Sequence, residues 1–278
     1  MLVAFSLLAA LFYGAGDFCG GLSSKRSAVL TVAFISQSAG FLMLLALLPF
    51  FPAGWNGGDL LWGALAGACG AAGIALLYHA LSIGKMGLIS PVTAVLAAAV
   101  PVLASVASGE RLAATQWLGI ALALVAIVLI SASFEDGVRE ITTRGLREAV
   151  LSGVLLGGFY IFLAHTHHAS GIHNLVGARL ASVLFLAALA FGSRVTLRPS
   201  ARALPLLLAT GALDMAANIL YVVATFNGAL AIAAVVTSLY PASTVFLARL
   251  VLKERLRAAQ WLGVVFALAG VALIAFRR

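Results

Sequence analysis

The chain has 278 residues, of which 63% are hydrophobic and 9% charged, against roughly 25% charged in a soluble domain. A mean hydropathy of +1.12, with apolar runs of about 20 residues along the whole length, excludes a soluble fold. The runs are continuous and do not alternate, which excludes a membrane barrel. A net charge of +8 does not call for nucleic acid, because Lys and Arg lie at the ends of apolar runs, where bilayer orientation accounts for them.

Ten membrane spans fit, at about 2–22, 28–50, 59–83, 86–107, 115–134, 147–168, 172–192, 204–226, 229–251 and 258–276. The first, MLVAFSLLAALFYGAGDF, lacks a basic n-region and a cleavage site, and reads as a retained helix. It places Tyr13 and Asp17 one turn apart on one face. The third is the richest in small residues (GALAGACGAAG) and reads as a helix surrounded by others, with Tyr78 and His79 near its end. Gly16 and Gly20, Gly63 and Gly67, and Gly153 and Gly157 repeat at a four-residue spacing that lets backbones approach in lipid. Cys19 and Cys69 sit in apolar runs and read as small packing residues.

Pro91 and Pro101 in the fourth span and Pro241 in the ninth each remove a backbone donor, so both spans are expected to kink. The most charged stretch, Glu135 to Glu148, follows the fifth span. In the sixth, Phe159 and Tyr160 answer Phe12 and Tyr13 at an offset of 147. His165, His167, His168 and His173 cluster before the seventh span without metal-ligand spacing, and read as a hydrated turn with no metal. The eighth span holds Asp214, Asn218 and Tyr221 at i, i+4 and i+7, one polar stripe. The ninth offers Thr237, Tyr240 and Thr244 on approximately one face.

One stretch occurs twice. ERLAATQWLGIALALVAIVLI (Glu110–Ile130) and ERLRAAQWLGVVFALAGVALI (Glu254–Ile274) align without a gap at an offset of 144, identical at 12 of 21 positions. The fold is therefore expected to be all-α and integral to the membrane: ten transmembrane helices in two five-helix repeats around a central cavity. Residues 1–134 form the first repeat, 135–146 a charged cytoplasmic connector and 147–278 the second. Five crossings per repeat invert the second relative to the first, the arrangement in which transporters hold substrate near mid-membrane. Thirteen Lys and Arg fall on the side reached after odd-numbered spans and three on the other, with Arg179 inside a span. By the positive-inside rule both termini are expected outside the cytoplasm, in a cell membrane and for a bacterium the inner one.

Two five-helix halves, each with a proline-containing fourth helix, a Glu-Arg-Leu turn and Gln-Trp-Leu-Gly opening the fifth, resemble the drug/metabolite transporter superfamily. The branch is that of the ten-helix EamA-like permeases, which include bacterial exporters of amino acids and metabolites. The resemblance implies a substrate cavity between the halves and alternating access. It also implies an Arg in the second helix of each half. Arg179 matches, while Gln37 stands at the corresponding place in the first half.

Ionisable groups within a membrane are costly and mark function or a structural pair. Asp214 either faces the cavity, to meet a substrate ammonium, or bonds Arg179 to orient the bundle. Asp17 and His79 are expected near each other at the cytoplasmic mouth, as gate or proton site. Tyr13, Tyr78, His79, Tyr160, Asp214, Asn218, Tyr221, Thr237 and Tyr240 are the substrate-binding candidates. Glu110, Glu254, Arg179, Pro91 and Pro241 read as structural, the two glutamates capping the next helix and pairing locally.

The leading reading is an exporter of amino acids, aromatic or hydrophobic ones included, and of related small metabolites. A multidrug exporter would use the same cavity, and an intramembrane enzyme is the rival from another class. No nucleotide-binding, zinc-protease or nucleophile-elbow motif is present, and no cofactor is called for. Small molecules and the lipid bilayer are the expected partners. A monomer is compatible with the pattern, which leaves the oligomeric state open.

Overall fold

Apolar side chains along each span leave the backbone no partner but itself, so the chain crosses lipid as helices. The computed structural model describes residues 1–24, 27–83, 86–131, 145–252 and 258–275, and every regular element among them is helical. The first half contributes α1 (Leu2–Ser24), α2 (Val29–Leu47), α3 (Gly57–Ile83), α4 (Met86–Ala107) and α5 (Ala114–Ser131). The second contributes α6 (Leu146–Ala164), α7 (Asn174–Gly192), α8 (Leu204–Thr225), α9 (Leu230–Thr237), α10 (Tyr240–Leu252) and α11 (Ala258–Ala275). Six of these helices are long and apolar enough to cross a bilayer alone, and four shorter apolar stretches, 92–107, 114–129, 230–244 and 261–270, supply the other crossings. Leu42, Leu61, Leu184 and Leu268 stand exposed on the outside of the bundle, as a lipid-facing surface requires and a water-facing one would not tolerate.

The packing repeats when the halves are exchanged. α1 lies along α8 as α6 lies along α3; α2 meets α8 as α7 meets α3; α1 meets α9 and α10 as α6 meets α4. The pairs α2–α7, α4–α9 and α5–α11 are their own counterparts and lie on the pseudo-twofold axis. With five crossings per half, equivalent helices run in opposite directions, so that axis lies in the membrane plane.

Small residues make these contacts possible. A Cβ at Gly67 would overlap the Ala178 carbonyl of α7, and one at Gly211 of α8 would overlap the Ser36 carbonyl of α2. Gly63 likewise meets Asn174 of α7, and Gly153 and Gly157 meet Thr93, Leu96 and Val100 of α4. In lipid, apolar burial contributes little between helices, and close backbone approach brings dispersion and hydroxyl–carbonyl bonds instead. Ser182 donates to the Gly67 carbonyl at 2.8 Å, Ser152 to Gly73 at 2.7 Å and Thr93 to Ala149 at 3.2 Å.

The two proline spans differ from the expected matched pair. The ninth breaks into α9 and α10 around Ser238 and Leu239, whereas α4 continues as one helix through Pro91 and Pro101. Subtracting the repeat offset of 144 from Pro241 gives Ala97, so the prolines do not occupy equivalent positions. Pro241 cannot donate to the carbonyl one turn back. The chain tightens there instead, with Leu239 N–H donating to Val236 and Ala242 N–H to Leu239, both three residues back.

The Glu110 turn also departs from expectation. Gly109 takes φ +89°, and the Glu110 N–H donates back to the Ser105 carbonyl, closing α4 with a left-handed glycine cap. That turn sends the Glu110 carboxylate across to the other half, where it accepts the Leu230 N–H at the start of α9 at 3.2 Å. Capping of the next helix, α5, falls to Gln116, whose side chain accepts the Ala113 N–H at 2.9 Å. Glu254 lies outside the described residues.

Candidate functional site

α1, α2, α3, α6, α7, α8 and α10 converge on one cavity, which encloses about 600 Å³ between its lining atoms, mouth and open solvent included. α8 brings Asp214 and Asn218 to the wall, α7 brings Arg179 and Ser182, and α1 brings Tyr13 and Asp17. Tyr160 and Phe159 come from α6, and Tyr240, the first residue after the break, from α10. Ile74, Leu77 and Leu156 form the apolar part of the wall.

The polar centre is an ion pair. Arg179, with its side chain 5% exposed, donates from Nη2 to Asp214 Oδ2 at 2.5 Å, and the Asp214 side chain is 16% exposed. Nη1 of Arg179 donates to Gln37 Oε1 of α2. Because α2 and α7 cross on the pseudo-twofold axis, the Arg of one half and the Gln of the other meet face to face. A second guanidinium there would be repelled; the amide oxygen accepts a hydrogen bond instead. Asn218 Nδ2 donates to the Asp214 carbonyl at 2.6 Å. That leaves Asn218 Oδ1 buried without a partner among the described residues, and the hydroxyls of Tyr13 and Tyr240 are in the same condition. Asp17 has neither a hydrogen bond nor an ion pair among the described residues.

Tyrosines close one side. Tyr160 lies with its ring centroid 4.6 Å from that of Tyr221 and 6.3 Å from that of Tyr13. Tyr221 also donates its hydroxyl to the Tyr160 carbonyl at 3.3 Å. In each helix these residues lie further from the Lys/Arg-rich face than the cavity residues one turn away, so the cavity sits on the Lys/Arg-rich side of the cluster.

Of the residues singled out in the sequence, Tyr13, Asp17, Gln37, Phe159, Tyr160, Arg179, Asp214, Asn218 and Tyr240 line the cavity. Tyr78, His79, Tyr221 and Thr237 do not. Tyr221 is fully buried against Tyr160. Thr237 ends α9, and the break before Tyr240 separates the two residues. Tyr78 turns toward Gly20 of α1 and is 2% exposed. His79, the next residue around the helix, is exposed, and no hydrogen bond or ion pair joins it to Asp17 among the described residues. Pro91 lies within α4 and Pro241 within the first turn of α10.

One polar cluster gave no signal in the sequence. Asp59, 1% exposed at the start of α3, accepts a hydrogen bond from Ser170 and lies 2.8 Å from His167 Nδ1. The remaining histidines of that turn have separate partners: His165 stacks on Trp62, His168 on Phe226, and His173 meets Trp55 edge-on. No group of three metal-ligating side chains occurs among the described residues.

No curated protein matches the chain. A solved structure described only as "Crystal structure of protein" is similar over 99% of this chain and 96% of its own, with a TM-score of 0.76 and 16% identity, which speaks for the fold alone. The profile of the EamA-like transporter family matches residues 1–132 and again 144–276. Both halves are thereby covered, each by the same helical unit, and the chain belongs to the EamA-like transporter family.

Proposed function

We propose that the chain exports small amphipathic metabolites bearing an amino group, amino acids foremost and aromatic or hydrophobic ones among them. The cavity opens alternately to the two sides, and both termini lie on the non-cytoplasmic face of the cell membrane. One observation carries the reading: the wall shared by the two halves combines the Arg179–Asp214 pair with unpartnered polar atoms on Tyr13, Asn218 and Tyr240. Buried polar groups without partners are costly, and a bound solute supplies the missing partners. Tyr160 and Phe159 wall the apolar part of the solute, and Arg179 holds Asp214 in place. Asp17 is the group available for coupling to protons, since the sequence offers no nucleotide-binding loop. His79, exposed at the Lys/Arg-rich end of α3, takes no direct part in the cavity.

Purified protein in liposomes, offered a panel of labelled amino acids, is expected to take them up down a gradient faster than protein-free vesicles. An imposed pH gradient is expected to alter that rate. Uptake equal to the protein-free control across the panel removes the reading. The aromatic and apolar share of the wall, Phe159, Ile74, Leu77 and Leu156, favours a second reading, a broad drug exporter. Lipophilic dyes that outcompete every amino acid would establish it.

A further inference from the structure

We propose that Gly70 and Phe159 set the size limit on the apolar group of the solute, which lies against α3 while its amino group meets α8. This deepens the transport reading and rests on it. The register of the two helices comes from their packing. Gly67 of α3 meets the Ala178 carbonyl of α7, and Gly211 of α8 meets the Ser36 carbonyl of α2. Gly67 and Gly211 are one repeat offset of 144 apart, while Ser36 and Ala178 are separated by the same 142 residues as Gln37 and Arg179. Asp214 and Asn218 of α8 therefore have Gly70 and Ile74 of α3 as counterparts, and all four line the cavity. Gly70 and Asp214 each fall near the middle of their helix. Equivalent positions on opposite sides of the pseudo-twofold axis thus carry a carboxylate in one half and no side chain in the other.

Side chains of α6 fill what α3 leaves empty. A Cβ at Gly70 would lie 2.9 Å from Cδ2 of Phe159 and 3.4 Å from its Cε2, and one at Gly73 would lie 3.0 Å from Leu156. Both bulky side chains thereby rest on bare α3 backbone, and they line the cavity together with Ile74 and Leu77. Among the described residues, α3 brings no polar side chain to that wall. An apolar group placed here covers nothing that needs a hydrogen bond, whereas against Asp214 and Asn218 it would strand buried polar atoms. The two walls therefore fix one orientation of the solute. Phe159 is held by α3 behind it and by Tyr160 beside it, with ring centroids 5.6 Å apart. A methyl group at Gly70 would take the space on which the ring rests, and the side open to the ring is the cavity it lines.

The test compares labelled tryptophan with labelled alanine, which share the same charged end and differ in the apolar group. Initial uptake of each, at the same low concentration, is measured into liposomes containing the protein, with protein-free vesicles subtracted. Gly70→Ala is expected to lower the tryptophan-to-alanine ratio by about tenfold, the worth of one methylene in an apolar pocket. Phe159→Ala is expected to raise it. In the double variant the added methyl has no ring to displace, so the ratio is expected to stay where Phe159→Ala alone puts it. An unchanged ratio in either single variant overturns the proposal while leaving transport itself standing. A fall in the double variant as large as that in Gly70→Ala overturns the action of Gly70 through Phe159. Should Gly70→Ala aggregate on purification, Phe159→Ala decides alone, and a ratio that does not rise overturns the proposal. No protein-dependent uptake of either compound removes the transport reading and the size limit with it.

Discussion

Glu110 and Leu230 belong to different halves, 120 residues apart, and are joined by a carboxylate that accepts the Leu230 N–H at 3.2 Å. The contact ties the end of α4 to the beginning of α9, the pair that crosses on the pseudo-twofold axis. Removing a helix cap costs about 1 kcal/mol. Glu110→Ala is therefore expected to lower the melting temperature in detergent by roughly 2–4 °C. Glu110→Gln, which keeps an acceptor oxygen, is expected to lose less. Equal losses would show that the side chain contributes bulk and not a cap.

Arg179 and Asp214 are a nearly buried pair, and removing one partner leaves the other charge uncompensated. Arg179→Gln or Asp214→Asn alone is expected to cost about 3 kcal/mol or more. The double variant is expected to be less destabilised than the sum of the two. Thermal unfolding of all four proteins forms a double-mutant cycle, and strict additivity would mean that the pair is not coupled.

At Gly67 any Cβ overlaps the Ala178 backbone, whereas at Gly192 nothing lies within 4 Å. Gly67→Ala is expected to destabilise the bundle by about 1–3 kcal/mol, and Gly192→Ala to stay within about 0.5 kcal/mol of the unaltered protein. Similar melting curves for the two variants would contradict the α3–α7 contact.

Asp59 is 1% exposed, while the His167 side chain it meets is 71% exposed. Burial makes the acid the anchor and the imidazole the lesser partner. Asp59→Ala, which strands the Ser170 hydroxyl, is expected to cost about 1–3 kcal/mol. His167→Ala, which removes a mostly solvated contact, is expected to cost less than about 1 kcal/mol. A reversed order, read from thermal unfolding, would refute that assignment.

Asn56 and Ser193 are exposed at opposite ends of the bundle. With the positive-inside orientation, a membrane-impermeant thiol reagent is expected to label Asn56→Cys in intact cells and Ser193→Cys only after permeabilisation. The reverse pattern would invert the proposed topology.

Local patterns told most about the fold. Glycines four residues apart imply a smooth helix face whatever lies opposite, and Gly63, Gly67, Gly153 and Gly157 all face another helix closely. The stripe Asp214, Asn218 and Tyr221 was also legible as a face, but a face does not specify depth. The first two reach the cavity, while Tyr221, one turn further on, meets Tyr160 and seals it. Thr237 and Tyr240 share a face only if the helix continues between them, and the tight turn before Pro241 removes that premise.

Contacts that cross between halves were the least legible. Nothing local pairs Gln37 with Arg179, 142 residues away, or Asp59 with Ser170, 111 residues away. Glu110 looked like a local cap because Glu precedes a helix. Its actual partner depends on the left-handed turn at Gly109 and on where the second half docks.

The broken ninth span and the unbroken fourth give two homologous rods unequal shapes. A protein with matching halves has no built-in direction; shape must supply one. Here part of that asymmetry lies in the joint between α9 and α10, so the conformer with the roles of the halves exchanged would straighten α9 with α10 and break α4. Spin labels placed across each span should register the two changes with opposite sign, and a joint that stayed rigid through turnover would assign the reversal to another part of the molecule.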